Sequence, residues 1–405
     1  MAIRMLGFLS GYLFIYFVVK YFGAETQGRL SLSFSVMILS SLACRLGIDI
    51  HFVKVFALKD NLLNARGIYF KLLPYLLLIT LALSTLVFFT AGPISEFIFK
   101  DPGLTPYLKW TAPCIMLFSF VLLHAAIFRG LRKNSLYAFL FNGGRFLFSL
   151  ILFFILYLSY DPAQPLITVI AHTSAVLILV LISLYHLRKI VFPIVKESVY
   201  RTRHFVKQSL PMLLSASLIV FLGWADSIIL GIFKESEDVG IYSVLIKVAA
   251  VVSFAMQATD SILAPKIASA YDNKEMGLFK RMIRFTVMIN SVVALGLFLG
   301  ILLFKSFILE LFGPEFVPFA WAMIILASGQ LINAILGPVS AMFQMTGHQV
   351  YWQNILLAAF VINIILNISL VESYGIYGVA TATAVSVVFS KLVGAYYIRQ
   401  KVWQP

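Results

Sequence analysis

Nine ionisable side chains stand inside long runs of apolar residues, where a sequence rarely tolerates them. The cations are Arg45, Arg145, Lys247 and Lys391; the anions are Asp49, Asp226 and Asp260; the imidazoles are His124 and His172. In hydrocarbon such a group costs several kcal/mol unless it is paired, hydrated or given a ligand, so each is a candidate for chemistry. Arg145 has no acidic neighbour at helical spacing and follows Asn142-Gly143-Gly144, small and polar residues suited to close packing or a wet face. A guanidinium offers forked donors to phosphate oxygens, which makes Arg145 the strongest single candidate for holding a phosphate. The other reading is that it snorkels to an interface.

Arg45 and Asp49 are four residues apart, so one continuous helix would place them on one face. They are either an internal ion pair that makes the helix insertable, or a cation held by its partner for an anionic ligand. Asp226 and Lys247 sit in successive apolar runs and either bridge neighbouring helices, or leave Asp226 to titrate or bind a cation. Asp260 precedes Pro265 near a helix end and reads as interfacial, and Lys391 is close enough to its helix end to snorkel. The two histidines read as neutral hydrogen-bonding groups in a bundle, with a proton relay as the sharper alternative.

Enzyme signatures are missing from the sequence. It has no glycine-rich phosphate loop, no Gly-x-Ser-x-Gly and no metal-spaced His/Cys cluster, and its polar loops are too short for a catalytic domain. The two cysteines, Cys44 and Cys114, lie in apolar runs and imply neither disulfide nor metal. No enzyme, cofactor or metal is expected.

The elements that must position these groups follow from composition. Of 405 residues 61% are hydrophobic and only 12% charged, with mean hydropathy +0.96. A soluble chain carries roughly a quarter charged residues, so lipid is the solvent that accommodates this surface. Runs long enough to span, about 20 residues each, lie near 4–22, 29–53, 67–91, 107–129, 136–159, 165–187, 207–232, 239–264, 279–304, 316–343, 352–371 and 376–399. The second and eighth are the weakest, because each contains charges. The first ends at Lys20 with no small-residue cleavage site, so it reads as a span rather than a removed leader.

The net charge of +14 would suggest nucleic acid in a soluble chain, but here it sits in short basic clusters between apolar runs. Those clusters fall on alternate loops, among them Arg129, Arg132 and Lys133, the stretch from Arg188 to Lys207, and Lys280, Arg281 and Arg284. The positive-inside rule then places both termini in the cytoplasm. The basic stretch divides the chain into an N-terminal six-helix bundle (1–190), a cytoplasmic basic linker (191–206) and a C-terminal six-helix bundle (207–405). A shift of 212 positions carries Glu25 onto Glu237, Gly28 onto Gly240, Ser31 onto Ser243, Lys54 onto Lys266 and Asp60-Asn61 onto Asp272-Asn273. Six helices per half preserve direction, so the fold class is an all-α polytopic membrane protein of about twelve helices in two parallel repeats. Such repeats are a transporter plan, with the substrate site in a central cavity between the halves near the midplane.

Several ordered motifs carry a family resemblance across nearly the whole chain. They are Tyr21-Phe22-Gly23-Ala24-Glu25-Thr26-Gln27-Gly28; Leu46-Gly47-Ile48-Asp49 with Lys54; Ala225-Asp226-Ser227-Ile228-Ile229-Leu230-Gly231; Val239-Gly240-Ile241-Tyr242-Ser243 through Lys247; and Ala264-Pro265-Lys266-Ile267. Later come Leu311-Phe312-Gly313-Pro314-Glu315-Phe316, Asn363 to Asn367, and Tyr374-Gly375-Ile376-Tyr377-Gly378-Val379-Ala380. In this order the chain resembles the polysaccharide-biosynthesis and lipid-linked O-antigen flippases of the multidrug/oligosaccharidyl-lipid/polysaccharide exporter superfamily. The resemblance implies two six-helix bundles around a cavity that opens alternately to each side of a bacterial or archaeal cytoplasmic membrane. It implies an undecaprenyl-diphosphate-linked saccharide as cargo, for O antigen, capsule or exopolysaccharide, with a polymerase and a chain-length regulator as partners besides membrane lipid. Cationic cavity residues of the family match Arg45, Arg145 and Lys247 by residue type, with Asp49 and Asp226 as pairing or ion-coupling carboxylates. Two alternatives stand beside it. A multidrug and toxin extrusion carrier wants an acidic cavity, whereas cations predominate in these spans. A membrane-embedded polymerase or ligase of lipid-linked sugars generally needs a larger external loop.

Overall fold

The structure, a computed structural model, describes residues 2–58, 62–159, 164–195 and 197–402, and among these it contains helices and no strand. In lipid a chain must satisfy its backbone hydrogen bonds within itself, and the helix does so locally. One compact unit comprises Met1–Val220 with Glu235–Glu237, the other Phe221–Lys234 with Asp238–Pro405. The first holds α1 (Ala2–Arg45), α2 (Ile48–Ala57), α3 (Leu62–Phe89), α4 (Leu104–Gly130), α5 (Asn134–Ser159) and α6 (Ile167–Val191). Helix α7 (Thr202–Phe233) starts in the first unit and ends in the second. The second continues with α8 (Ser236–Ala250), α9 (Phe254–Asp272), α10 (Met276–Leu303), α11 (Ala320–Leu336), α12 (Val339–Met345) and α13 (Gln349–Lys401).

Among the described residues eight helices are long and apolar enough to cross a membrane, or nine with the bent α7. Two of them are too long for one crossing. Helix α1 has 44 residues and α13 has 53, whereas about 20 residues cover the roughly 30 Å of hydrocarbon. Each is divided at a glycine with positive φ, Gly23 at 78° and Gly375 at 51°, and so holds two spans.

The second and eighth apolar runs are not the continuous helices their sequence suggests. A turn at Leu46-Gly47, both residues with positive φ, separates α1 from α2. A 3₁₀ turn at Val251–Ser253 separates α8 from α9. The repeat therefore interrupts the same helix in both units, about two turns apart under the 212-residue shift. That shift also carries Pro102, which precedes α4, onto Pro314, which precedes α11.

In the first unit α4 is central: 83% of its apolar window is buried, against 28% for α3. Lipid offers little hydrophobic drive between helices, so small residues and hydrogen bonds hold them together. Gly7 of α1 lies against the backbone of Asn142 and Gly143, and a Cβ at Gly144 would collide with Leu179 of α6. The segment after α6 is strapped to the start of α3. Arg66 donates to the carbonyls of Val191 (3.2 Å) and Phe192, Ser198 donates to the Asn64 carbonyl (2.8 Å), and Lys71 donates to the Ser198 carbonyl (3.2 Å). In the second unit α13 packs on α11 and α12. A cluster of Phe279, Ile283, Phe343, Trp352 and Ile398 fills one end. Lys391 does not snorkel as expected: it is buried, with its ammonium 5.7 Å from the Trp352 ring. Asp260 lies in α9.

Gly47 has φ 72°, and a side chain there would run into the backbone of Ser209 and Leu213. Gly47→Ala is expected to cost about 2 kcal/mol or more from the left-handed backbone and the clash together. The check is thermal unfolding of the purified protein in detergent against Gly23→Ala, which meets no neighbouring atom within 4 Å.

Candidate functional site

In the first unit the structure brings Arg45 and Asp49 together, but across the α1–α2 break rather than along one helix. Arg45 occupies the last turn of α1 and Asp49 the first turn of α2. Each charge complements the helix end it occupies, and the ion pair closes the turn between them. Arg45 is buried; its Nε donates to the Ser41 carbonyl at 3.2 Å, and Ser119 donates to the Ser41 hydroxyl at 3.0 Å. A small crevice beside it is lined by Arg45, Leu76, Thr80, Ser119, Phe120 and Leu123.

Arg145 meets another face of α4. A π-helical turn at Phe139–Gly143 precedes it, the kind of helix irregularity that re-aims side chains at functional sites. Its guanidinium carbon lies 4.5 Å from the Phe146 ring centroid and 5.1 Å from that of Phe118. Cation–π attraction offsets part of the cost of burying the charge. Among the described residues no carboxylate pairs with Arg145, and its Nη1 is buried with no hydrogen-bond partner. The residue as a whole is half-buried.

The two intramembrane histidines are built alike and finished differently. His124 and His172 are both fully buried. His124 Nδ1 meets the Ser183 hydroxyl at 2.7 Å and its Nε2 meets the Tyr69 hydroxyl at 3.2 Å. His172 Nδ1 meets the Ser149 hydroxyl at 3.1 Å, while its Nε2 has no partner among the described residues.

In the second unit Asp226 is buried and accepts four hydrogen bonds. Tyr242 (2.9 Å) and Thr383 (2.6 Å) donate to one oxygen, Asn367 (2.7 Å) and Asn363 (3.1 Å) to the other. These donors come from α8 and both arms of α13, and all are neutral. Asp226 takes its hydrogen bonds from them rather than from Lys247, which is exposed on α8. The Oδ1 atoms of Asn363 and Asn367 are themselves buried without a partner among the described residues. Of these donors only the Asn363/Asn367 pair leaves a trace in the sequence, as two amides one turn apart in an apolar run. Tyr242 and Thr383 are indistinguishable there from ordinary helix hydroxyls.

A further ion cluster lies where α1 and the start of α4 meet. Arg29 donates to both oxygens of Asp101 at 2.8 and 2.9 Å and to Glu25 at 2.5 Å, and Ser236 donates to Asp101 at 2.6 Å. Burial pushes the Asp101 carboxyl up, but the hydrogen bonds from Arg29 and Ser236 outweigh it and hold the group below its ordinary value.

Comparison with known proteins places this architecture. A family model described as polysaccharide biosynthesis protein matches residues 1–263, and one described as MatE matches residues 211–369. A probable low-salt glycan biosynthesis flippase of Haloferax volcanii is 28% identical over 179 residues, 44% of this chain and 38% of that protein. A probable flippase of the same organism is 27% identical over 173 residues, 42% of this chain and 36% of that protein. The matched stretch is thus well under half the length of these curated relatives. Among solved structures, an inward-facing multidrug resistance MATE family transporter of the MOP superfamily superposes with TM-score 0.78 at 15% identity, covering 96% of this chain and 94% of that one. The lipid II flippase MurJ, inward closed, gives TM-score 0.75 at 14% identity, covering 98% and 87%. At such identities the likeness is one of fold, shared by both kinds of carrier.

A carboxylate held below its ordinary value stabilises the fold above that value, and the contribution is lost as pH falls through the lowered one. Asp101→Asn is therefore expected to lower stability at neutral pH by about 1 kcal/mol after screening. It should also reduce the acid-side loss of stability. Unfolding midpoints measured across the acid range in both proteins check this.

Proposed function

Given that the chain belongs to the polysaccharide biosynthesis protein family, we propose that it is a flippase for a polyprenyl-diphosphate-linked saccharide, working by alternating access. The observation that carries this reading is Arg145, whose guanidinium lies against two ring faces with Nη1 buried and, among the described residues, no carboxylate paired with it. A charge kept in hydrocarbon without a protein counterion is poised for an anionic ligand. A diphosphate fits the planar fork, and its own transfer through lipid is prohibitive without fixed donors. Arg45, paired with Asp49, and Lys247 are proposed as further cations along the route, and undecaprenyl as the lipid of a bacterial or archaeal cytoplasmic membrane with both termini inside. A multidrug carrier of organic cations shares the fold, but a guanidinium packed on aromatic rings repels that cargo.

Asp226 is proposed as the coupling site for a monovalent cation. Four neutral donors satisfy its carboxylate, and among the described residues it has no cationic partner and two amide oxygens beside it have no hydrogen-bond partner. Turning the Asn363 and Asn367 amides would present those oxygens, with the carboxylate and Thr383, to a hard cation such as sodium. Protonation of Asp226 is the other way to discharge it.

Deleting the gene in its host and identifying lipid-linked intermediates by mass spectrometry tests the cargo. Complete diphosphate-linked repeat units should accumulate on the cytoplasmic face and clear when the wild-type copy returns. Arg145→Gln should restore flipping about tenfold to a hundredfold less well than wild type, the worth of one or two charge-assisted hydrogen bonds, and Arg145→Lys should fall between. Unchanged intermediates, with efflux of a cationic dye, would instead favour the multidrug carrier.

In proteoliposomes, wild-type flipping should respond to an imposed sodium or proton gradient, and Asp226→Asn should run at one rate with or without it. A gradient response surviving in Asp226→Asn would remove Asp226 from coupling.

A further inference from the structure

The hydrogen-bond network fixes the tautomer of His172. The Ser149 hydroxyl donates its proton to the Arg145 carbonyl at 2.8 Å, one turn back on α5. Its contact with His172 Nδ1 must then run the other way, from the imidazole N–H to the serine oxygen. Nε2 is therefore the bare, accepting nitrogen. The same logic applies to His124, where Ser183 donates to the Val180 carbonyl at 2.8 Å and so receives Nδ1–H. There the Tyr69 hydroxyl completes the ring by donating to Nε2. His172 has its own orienting serine and, among the described residues, no such donor, although the residue is fully buried.

The His172 imidazole shares the Phe146 ring with Arg145. The Phe146 ring, 4.5 Å from the Arg145 guanidinium carbon, is 6.0 Å from the imidazole centroid, and Phe34 of α1 covers the imidazole at 4.1 Å. The charged and titratable groups about His172 are Arg145 on α5 and, beyond it on α4, the Cys114 thiol; α1 contributes the uncharged Phe34. Beside an unpaired guanidinium a second positive charge is unfavourable, so His172 is neutral when no anion is held there. An anion reverses that balance: it accepts from Arg145 and attracts a proton to Nε2, which then becomes a second donor.

We propose that His172 takes up a proton when a diphosphate docks on Arg145, so that anion binding at this site is proton-linked. The proposal rests on Arg145 as an anion site and adds the residue that couples it to pH. No covalent bond changes: a proton moves from solvent to Nε2 on binding and returns on release. The loaded site carries one positive charge more than the empty one, matched to the second negative charge of a diphosphate diester, and release at higher pH is favoured.

The test is calorimetric titration of the full-length protein in neutral detergent with UDP-glucose, a diphosphate diester whose phosphates do not titrate near neutrality. Buffers of different ionisation enthalpy report protons taken up per ligand bound. Wild type should take up a fraction of a proton, approaching one, with affinity falling by up to about tenfold per pH unit between about pH 6 and pH 8. His172→Gln should bind with little pH dependence and no uptake, while His124→Gln should behave as wild type. Binding without proton uptake in wild type, or uptake unchanged in His172→Gln, overturns the proposal and leaves the anion site standing. No binding at any pH, with Arg145→Gln indistinguishable from wild type, overturns the anion site and the proposal together. Equal uptake on adding phosphatidylglycerol micelles alone would keep the proton linkage and overturn selection for a diphosphate.

Discussion

A charged side chain in hydrocarbon must find a partner, a water or a ligand, and the arrangement of this protein's interior follows from how each ionisable group meets that demand. Arg45 meets it with Asp49, Arg29 with Asp101 and Glu25, and Asp226 with four neutral donors. Arg145 meets it least completely, with two aromatic faces and an unfilled donor. In a medium that penalises unpaired polarity, that residual demand is the chemical information in the first unit.

The supporting structure is built to hold those groups still. Helix hydroxyls return to carbonyls one turn back, as at Ser149 and Ser183, and this spends their protons and leaves their lone pairs for the residues beside them. Close approach of α1 to the backbone of Asn142 and Gly143, possible because Gly7 and Gly143 lack side chains, sits just ahead of Arg145, which lies over Phe118 and Phe146. The helix breaks serve a similar end: the turn at Leu46-Gly47 puts Arg45 and Asp49 on opposite sides of a bend, each at the helix terminus its charge favours.

The two units treat charge differently. Among the described residues Arg145 in the first has no carboxylate partner and Asp226 in the second has four neutral donors and no cationic partner. An anionic cargo and a cationic driving ion have the complementary signs, which is why the flippase reading assigns them separate units rather than one mixed site.

Membrane residence, helical class and repeat were determined by the sequence alone, because apolar runs, basic loops and the 212-residue shift are properties of order and composition. The candidate list was also legible, since any ionisable residue in an apolar run identifies itself. What those residues touch was not. Spacing put Arg45 and Asp49 together for the wrong reason, and adjacency suggested Lys247 for Asp226, when Tyr242, Asn363, Asn367 and Thr383 from distant turns of chain reach it. Lys391 looked close enough to a helix end to escape, yet it is buried over Trp352. His124 and His172 are equivalent in sequence, and only packing gives one a tyrosine hydroxyl and leaves the other's nitrogen open. Hydrophobic periodicity decides which solvent a helix meets; the pairing of single polar atoms depends on contacts across dozens of residues, which tertiary structure alone decides.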